Sequence, residues 1–352
     1  MSYTVIVMPG EGIGPEVVNE GVRVLRAAAK VFRIPIELLT YEVGKAAFAR
    51  TGEFLPRDAR DACDRLCSSR QAAILFGSVD DEPIGYLRKD YDLFANLRPI
   101  RAIQDLWQIS PLKPERIRNV DLLIVRELVS DIYYGISRTG GVGSHRWASQ
   151  EMYYSEHEVE RIARVAFEQA RIRRRCLTFV HKGNVINGVF DLWQDVLRRE
   201  HCQFLDVALS DVLVDAAALH LVLQPGQFDV LLCPNLFGDI LSDIGGAILG
   251  SVGLLPSASL NAAGFALYEC VGGTAPDIAG MQKANPIGTI LSVAMMCRHT
   301  FRNDDAATLI ERAVVKVLES HRTPDIMQLG CHLATTAELG TQIADQILLG
   351  MT

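Results

Sequence analysis

Aromatic residues make up only 7% of this 352-residue chain, and no Gly/Ser-rich or Pro-rich linker divides it. With 49% hydrophobic and 22% charged residues, the composition excludes a disordered chain, a collagen-like repeat and a coiled coil. Positive charge is in short supply. Lys and Arg number 35 against 42 Asp and Glu, a formal net charge of −7, and such a field repels nucleic acid and acidic membrane surfaces. A basic amino-terminal segment ahead of a cleavable apolar stretch is missing, so no secretory signal is expected. The eight cysteines are dispersed, as in a cytoplasmic protein with reduced thiols. Only Cys63 and Cys67 lie close together, and no second Cys/His pair stands nearby to complete a zinc site. The one long uncharged run, Ile244–Tyr268, contains Gly245, Gly246, Gly250, Gly253, Pro256 and Asn261, which argue against a membrane span.

What is present is an alternation of apolar strands and amphipathic helices. Thr4–Met8 runs into Pro9-Gly10-Glu11-Gly12-Ile13-Gly14-Pro15 and then a helical pattern over Glu16–Lys30. Ala72–Ser78, Leu122–Val125, Leu177–Val180 and Val230–Cys233 read as buried strands, with helical patterns at Glu158–Arg171 and Phe190–Glu200. This order predicts an α/β protein with a largely parallel sheet. The length suggests two domains of roughly 100 to 200 residues. Without a linker they are expected to be discontinuous, the chain crossing over and returning. The basic run Arg171–Arg175 sits where a helix ends, a placement that favours the helix dipole over nucleic-acid contact.

Several residues could carry chemistry. The Gly10-x-Gly12-x-Gly14 turn is either a backbone-lined ligand loop or a plain tight turn, since its spacing departs from the dinucleotide fingerprint. Asp239 and Asp243 stand one helical turn apart in apolar surroundings. They are either ligands of a hard cation, Mg²⁺ or Mn²⁺, awaiting a third carboxylate, or ordinary helix charges. Arg88, Arg98 and Arg126 each adjoin apolar sequence. Such guanidinium groups need anionic partners: Arg126 could take Glu127 or Asp121, or several could converge as a carboxylate clamp. Lys182, at the mouth of a strand, is a base or a solvated amine; Tyr153 and Tyr154 serve packing or proton donation. The Gly-rich stretch Glu269–Gly280 looks like a ligand loop, and an acid such as Asp277 suits ribose hydroxyls.

Taken together, PGEGIGPEV, LRKDYDLFANLRP, SPLKPE, VDLLIVRE, YYSEHEVERIARVAFE, HKGNVI, VDAAALHLV, NLFGDILSDIGGAILGSVGLLPSAS, GTAPDIAG and ANP resemble the β-decarboxylating dehydrogenases, the isocitrate/isopropylmalate dehydrogenase family, with the isopropylmalate branch nearest. The likeness runs nearly end to end. It implies two discontinuous α/β domains around a central cleft: residues 1–93 plus 251–352 on the cofactor side, and an inserted 94–250 carrying dimer contacts, metal and catalytic residues. It implies a homodimer with shared sites, NAD, and Mg²⁺ or Mn²⁺. Arg88, Arg98 and Arg126 match substrate-carboxylate arginines; Asp239, Asp243 and, from the other subunit, Asp215 match metal ligands. Lys182, also from the partner, matches the general base, and Tyr154 the acid. Glu269, Gly273, Ala275, Asp277 and Asn285 match positions around the cofactor.

The implied reaction is oxidative decarboxylation of a 3-substituted malate to a 2-oxo acid and CO₂. The alternatives are isocitrate, homoisocitrate or tartrate/malate as substrate, or a non-catalytic regulatory member. Two departures bear on this. Gly272 stands where the family usually has a histidine beside the adenine, and the segment FGSVDDEPIGYLRK is short. In that segment Asp81, Ile84 and Gly85 would read the C3 substituent. Ile84 favours an alkyl or aryl group, and the acidic Asp80, Asp81 and Glu82 would repel an extra anion.

Overall fold

Burial on both faces explains why the first strand reads as an unbroken apolar run. In Tyr3–Met8, Ile6 and Met8 enter a core cluster with Ile74, Phe76, Leu267, Ala59 and Leu87, while Val5 and Val7 alternate to the opposite, equally buried face. The computed structural model describes residues 2–80 and 83–350, so Asp81 and Glu82 lie outside the described residues.

The chain forms two compact units. The first comprises Met1–Leu93, Arg101–Arg118 and Gly246–Thr352. Its strands lie in the order Ile36–Thr40, Tyr3–Met8, Ala72–Phe76, Ala266–Cys270, Pro256–Leu260. The pairings are parallel except the last, where Pro256–Leu260 runs antiparallel to Ala266–Cys270. The helix Gly14–Val31, with a proline in its first turn, packs with Ile287–His299 and Thr336–Leu349. The long uncharged run thus divides into a helix end, two strands and the turn between them. Among the described residues no helix is long and apolar enough to cross a membrane. All eight cysteines are free.

The second unit comprises Phe94–Ile100 and Asn119–Gly245. Its strand order is Ala95–Arg101, Asp121–Glu127, Val230–Cys233, Cys176–His181, Ala208–Leu213, with parallel pairing through the last four. Residues 101–118 thus pack with the first unit. The helix Glu156–Arg171 starts from a capping box in which Ser155 and Glu158 exchange hydrogen bonds, closing off orphan backbone donors. Its Phe167 stacks on Phe204, while Trp193, fully buried, stacks on Phe179 with ring centroids 5.2 Å apart. Most of the basic run that follows is paired within the chain: Arg171 with Asp206, Arg173 with Asp121 and Asp229, and Arg174 with Asp229. A two-stranded ribbon, Ser137–Gly140 against Trp147–Gln150, is almost wholly exposed.

Candidate active site

In the second unit, Arg126 stands beside Cys233 in the strand register, and the Asn235–Leu249 helix begins two residues beyond Cys233. A Cβ on Gly238 would meet the stem of Arg126 at 2.7 Å, so the glycine lets the helix close onto the arginine. The guanidinium donates from Nε and Nη2 to Asn235 Oδ1, at 2.9 and 2.6 Å, and from Nη1 to Asp239. Arg98 donates to the same Asp239 oxygen at 3.3 Å and to Ser242; Tyr133 donates to the other oxygen at 2.8 Å. Arg98 and Arg126 are both buried. Two of the three arginines expected from sequence therefore converge. The expected alternative partners of Arg126 are engaged elsewhere: Asp121 holds Arg173, and Glu127 accepts from the backbone of Val129 and Ser130.

Asp243 lies one turn beyond Asp239. Loss of water raises its carboxyl above the ordinary range; Arg98 opposes this and the Asp239 charge adds to it. A carboxylate so placed is stabilised by an added cation, and the oxygen donors suit a hard divalent ion. Among the described residues, however, no three His, Cys, Asp or Glu side chains gather closely enough to hold one. Asp215 is elsewhere, in the first turn of the Val214–Leu223 helix, where it accepts from Lys182 Nζ at 2.7 Å. That bond holds the Asp215 carboxyl below its usual range. The helix thus offers two candidate ligands, and a third protein carboxylate would have to come from elsewhere.

The two candidate tyrosines separate cleanly. Tyr153 is exposed, whereas Tyr154 is 6% exposed and lies edge-on to Trp193. The Tyr154 hydroxyl accepts from the Asn235 amide at 2.9 Å and donates to Asp131 Oδ2 at 3.2 Å. Burial, then the charges of Glu127 and Asp131, push its pKa well above the ordinary phenol value, so it is held as an acid. Glu127 is itself fully buried, and desolvation raises its carboxyl to about 7 against the pull of two backbone amides and Arg161.

In the first unit, Arg88 lies in the last turn of the Pro83–Asp90 helix and pairs with Glu269 at 2.8 Å, joining a candidate substrate arginine to a candidate cofactor residue. Ile84 is partly buried against the core cluster, and a Cβ on Gly85 would meet open space. Asp80 is tied to Lys45 at 2.7 Å and accepts from Thr274. Lys45 thus stands as a cation beside the Asp80 carboxylate.

The Gly10 and Gly12 backbones adopt φ of +73° and +57°, and a Cβ on Gly12 would lie 2.0 Å from the Thr274 carbonyl oxygen. The Glu11 and Ile13 amides donate to the carbonyls of Ser78 and Thr274, and the Gly14 amide to Glu11, so the turn is a close-packed clasp. Glu16 secures the loop further by accepting from the amides of Gly280 and Gln282. Gly273 and Asp277 are exposed on that loop, with no atom within 4 Å of a Cβ built on Gly273. Ala275 holds a left-handed φ of +40°. These suit a nucleotide: open backbone, and a carboxylate to accept from ribose hydroxyls. Asn285 is buried; it bonds Asp325 and accepts from the Ile287 amide, so its side chain organises the loop's exit. At Gly272 a Cβ would make only ordinary contacts, at 3.5 Å or more.

A family profile described as isocitrate/isopropylmalate dehydrogenase matches residues 4–343. The 3-isopropylmalate dehydrogenase of Yersinia pestis is 44% identical over 367 residues, covering 99% of each chain. That of Symbiobacterium thermophilum is 45% identical over 372 residues, covering 98% of this chain and 99% of the other. The crystal structure of isocitrate dehydrogenase from Methylococcus capsulatus superposes with a TM-score of 0.88 at 31% identity, covering 98% of this chain and 99% of that one. The chain belongs to the isocitrate/isopropylmalate dehydrogenase family. Its fold is that of the family, as expected from the sequence motifs.

Three polar residues around Arg126 and Tyr154 escaped sequence reasoning, Asp131, Tyr133 and Asn235, and Glu127 was read only as a partner for Arg126. A signal existed for Glu127, which closes an apolar strand directly after Arg126. For Asp131 there was none, because what sets it apart is a backbone φ of +73°.

Proposed function

We propose that this chain catalyses oxidative decarboxylation of a 3-substituted malate, foremost 3-isopropylmalate, using NAD⁺ and a divalent cation. As a member of this family it is a decarboxylating dehydrogenase acting on a CH–OH group; the substrate, cofactor and metal are the proposal. The observation that carries it is the convergence of buried Arg98 and Arg126 on Asp239, one turn before Asp243. Guanidinium forks at that place can hold a planar carboxylate, and Arg88, paired with Glu269 in the first unit, is a further fork of the same kind. The chemistry supplied when they are bound is a hydride acceptor, from the nicotinamide, and Lewis-acid polarisation of the substrate hydroxyl, from a divalent cation near Asp239 and Asp243. Asp215 would complete that set from a second copy.

Lys182, from the same second copy, removes the C2 hydroxyl proton. Oxidation gives a β-keto acid, loss of CO₂ gives an enolate, and Tyr154 delivers its hydroxyl proton to C3. The loop bearing Glu269, Gly273, Ala275, Asp277 and Asn285 receives the dinucleotide, and Ile84 faces an alkyl substituent. A homodimer is supported by the exposed ribbon, which has no core of its own. It is supported too by Leu219, Val222 and Leu223, exposed on the same helix as Asp215. The free thiols fit a reducing, cytoplasmic setting.

The test is a panel of 3-alkylmalates, isocitrate, homoisocitrate, tartrate and malate, offered to purified protein with Mg²⁺ and NAD⁺. The highest kcat/KM is expected for 3-isopropylmalate or a close 3-alkyl analogue. NADH formation from none of them would refute the assignment, and preference for isocitrate would replace its substrate.

A further inference from the structure

We propose that His181 is a positioning residue for Lys182, fixing the peptide bond from which that side chain springs. This inference rests on the function proposed above, in which Lys182 is the base, and adds to it a residue that has no role there.

Lys182 directly follows the Cys176–His181 strand and precedes the Asn187–His201 helix, in the short connection between them. The stem of a lysine is flexible, so the backbone at its root sets where the amine can reach. Both polar groups of the peptide unit joining Lys182 to Gly183 are engaged. The Lys182 carbonyl accepts from the Val185 and Ile186 amides at 3.0 and 2.9 Å. The Gly183 amide donates to His181 Nδ1 at 3.1 Å. A side-chain acceptor taking the amide two residues on is the arrangement of an Asx turn, made here by an imidazole. At its far end the Lys182 ammonium donates to Asp215 at 2.7 Å.

The imidazole is itself fixed. It is 7% exposed, stacks on Phe179 with ring planes 11° apart, and meets Phe190 edge-on. A backbone amide only donates, so Nδ1 is the bare nitrogen and Nε2 carries the proton, which it donates to Asp211 at 3.0 Å. Asp211 reaches the ring because Leu213 stands in register with His181, and Asp211, two residues earlier on the Ala208–Leu213 strand, points to the same face. Its carboxylate thereby selects the tautomer that leaves Nδ1 able to accept. Gly183 completes the fit, since a Cβ there would lie 2.9 Å from Nδ1. Filling the core would require only the aromatic contacts of this ring. The bond to the backbone of the candidate base is what packing leaves unexplained.

Ring and acceptor can be separated by substitution. His181→Phe keeps the ring and removes the acceptor. His181→Gln carries its amide towards Asp211 and leaves nothing at the Nδ1 position. His181→Asn puts an oxygen where Nδ1 stands and loses the ring. The assay uses 3-isopropylmalate or the best panel substrate, and thermal unfolding is followed in parallel. In the Phe and Gln variants kcat is expected to fall about tenfold or more, with KM changed less than about threefold. First-turnover NADH formation should slow with it, because the base takes the hydroxyl proton in that step. The Asn variant should keep kcat within about threefold of wild type, although it unfolds at a lower temperature than the Phe variant. Activity then follows the acceptor and stability follows the ring, an order that a purely structural histidine would reverse. A kcat within about twofold of wild type in the Gln variant, or in a folded Phe variant, would overturn the proposal. So would an Asn variant as slow as the Gln variant. Wild-type protein inactive on the whole panel would remove the functional assignment and this inference with it; an active wild type with unaffected variants removes this inference alone.

Discussion

Glu127 makes the second unit's stability fall as pH rises through neutrality. The carboxyl is wholly buried at the end of its strand, and burial raises it from an ordinary 4.5 to about 7. A group that binds its proton more tightly folded than unfolded lowers stability as pH climbs between those two values, with no further change above them. At about 1.4 kcal/mol per pKa unit, the gap corresponds to roughly 3 kcal/mol lost between about pH 5 and about pH 8. Glu127→Gln removes the titration. It also introduces an offset, because the two carboxylate oxygens accept separately from Val129 and Ser130, at 3.1 and 3.0 Å, and glutamine has one oxygen for both. That offset, about 1–3 kcal/mol, is the same at every pH and cancels when slopes are compared. The measurement is urea unfolding of both proteins across the range, compared at matched m values. Wild type should lose about 3 kcal/mol relative to the variant on going from the acid to the alkaline end. Parallel curves would refute the reasoning and mean that Glu127 keeps an ordinary carboxyl despite its burial.

Arg126→Lys should lower kcat/KM for the malate about a hundredfold, since a single ammonium cannot span Asn235 and Asp239 as the fork does; steady-state kinetics decide, and a change below about threefold would show the fork is dispensable. Gly12→Ala puts a Cβ 2.0 Å from a backbone oxygen at φ +57°. It should destabilise by about 1–3 kcal/mol and raise KM for NAD⁺ more than KM for the malate; unchanged thermal unfolding would show that the clasp yields. Trp147→Ser, on the exposed ribbon, should shift the protein towards monomer in sedimentation, while an unchanged mass would show that the ribbon does not mediate pairing.

Strands buried on both faces are legible because every position along them is apolar: Val230–Cys233 is found with the bounds expected, and Tyr3–Met8 within one residue. Paired carboxylates one helical turn apart are likewise a local pattern, and Asp239 and Asp243 could be picked out without knowing what surrounds them. The partner of Arg126 could not. Its guanidinium meets Asn235 and Asp239 through strand register and a close glycine contact more than a hundred residues along the chain, and local periodicity carries no such information. Adjacent charges in sequence, Glu127 above all, offered a false partner. Asp131 was invisible for another reason: an aspartate in a turn is ordinary, and only its backbone angle marks it.

The net charge of −7 therefore describes little of the site. Each arginine expected to grip a substrate carboxylate already has a carboxylate within the chain: Glu269 for Arg88, and Asp239 for both Arg98 and Arg126. On the function proposed above, a carboxylate bound at any one of these arginines exchanges one anion for another instead of neutralising a bare cation. The favourable free energy is then the difference between two ion pairs, set by fork geometry and by water excluded, and is much smaller than either pair alone. The buried guanidinium groups thereby avoid the cost of isolated charge, and on the function proposed above selectivity would rest on how well a substrate's carboxylate outcompetes a fixed internal one.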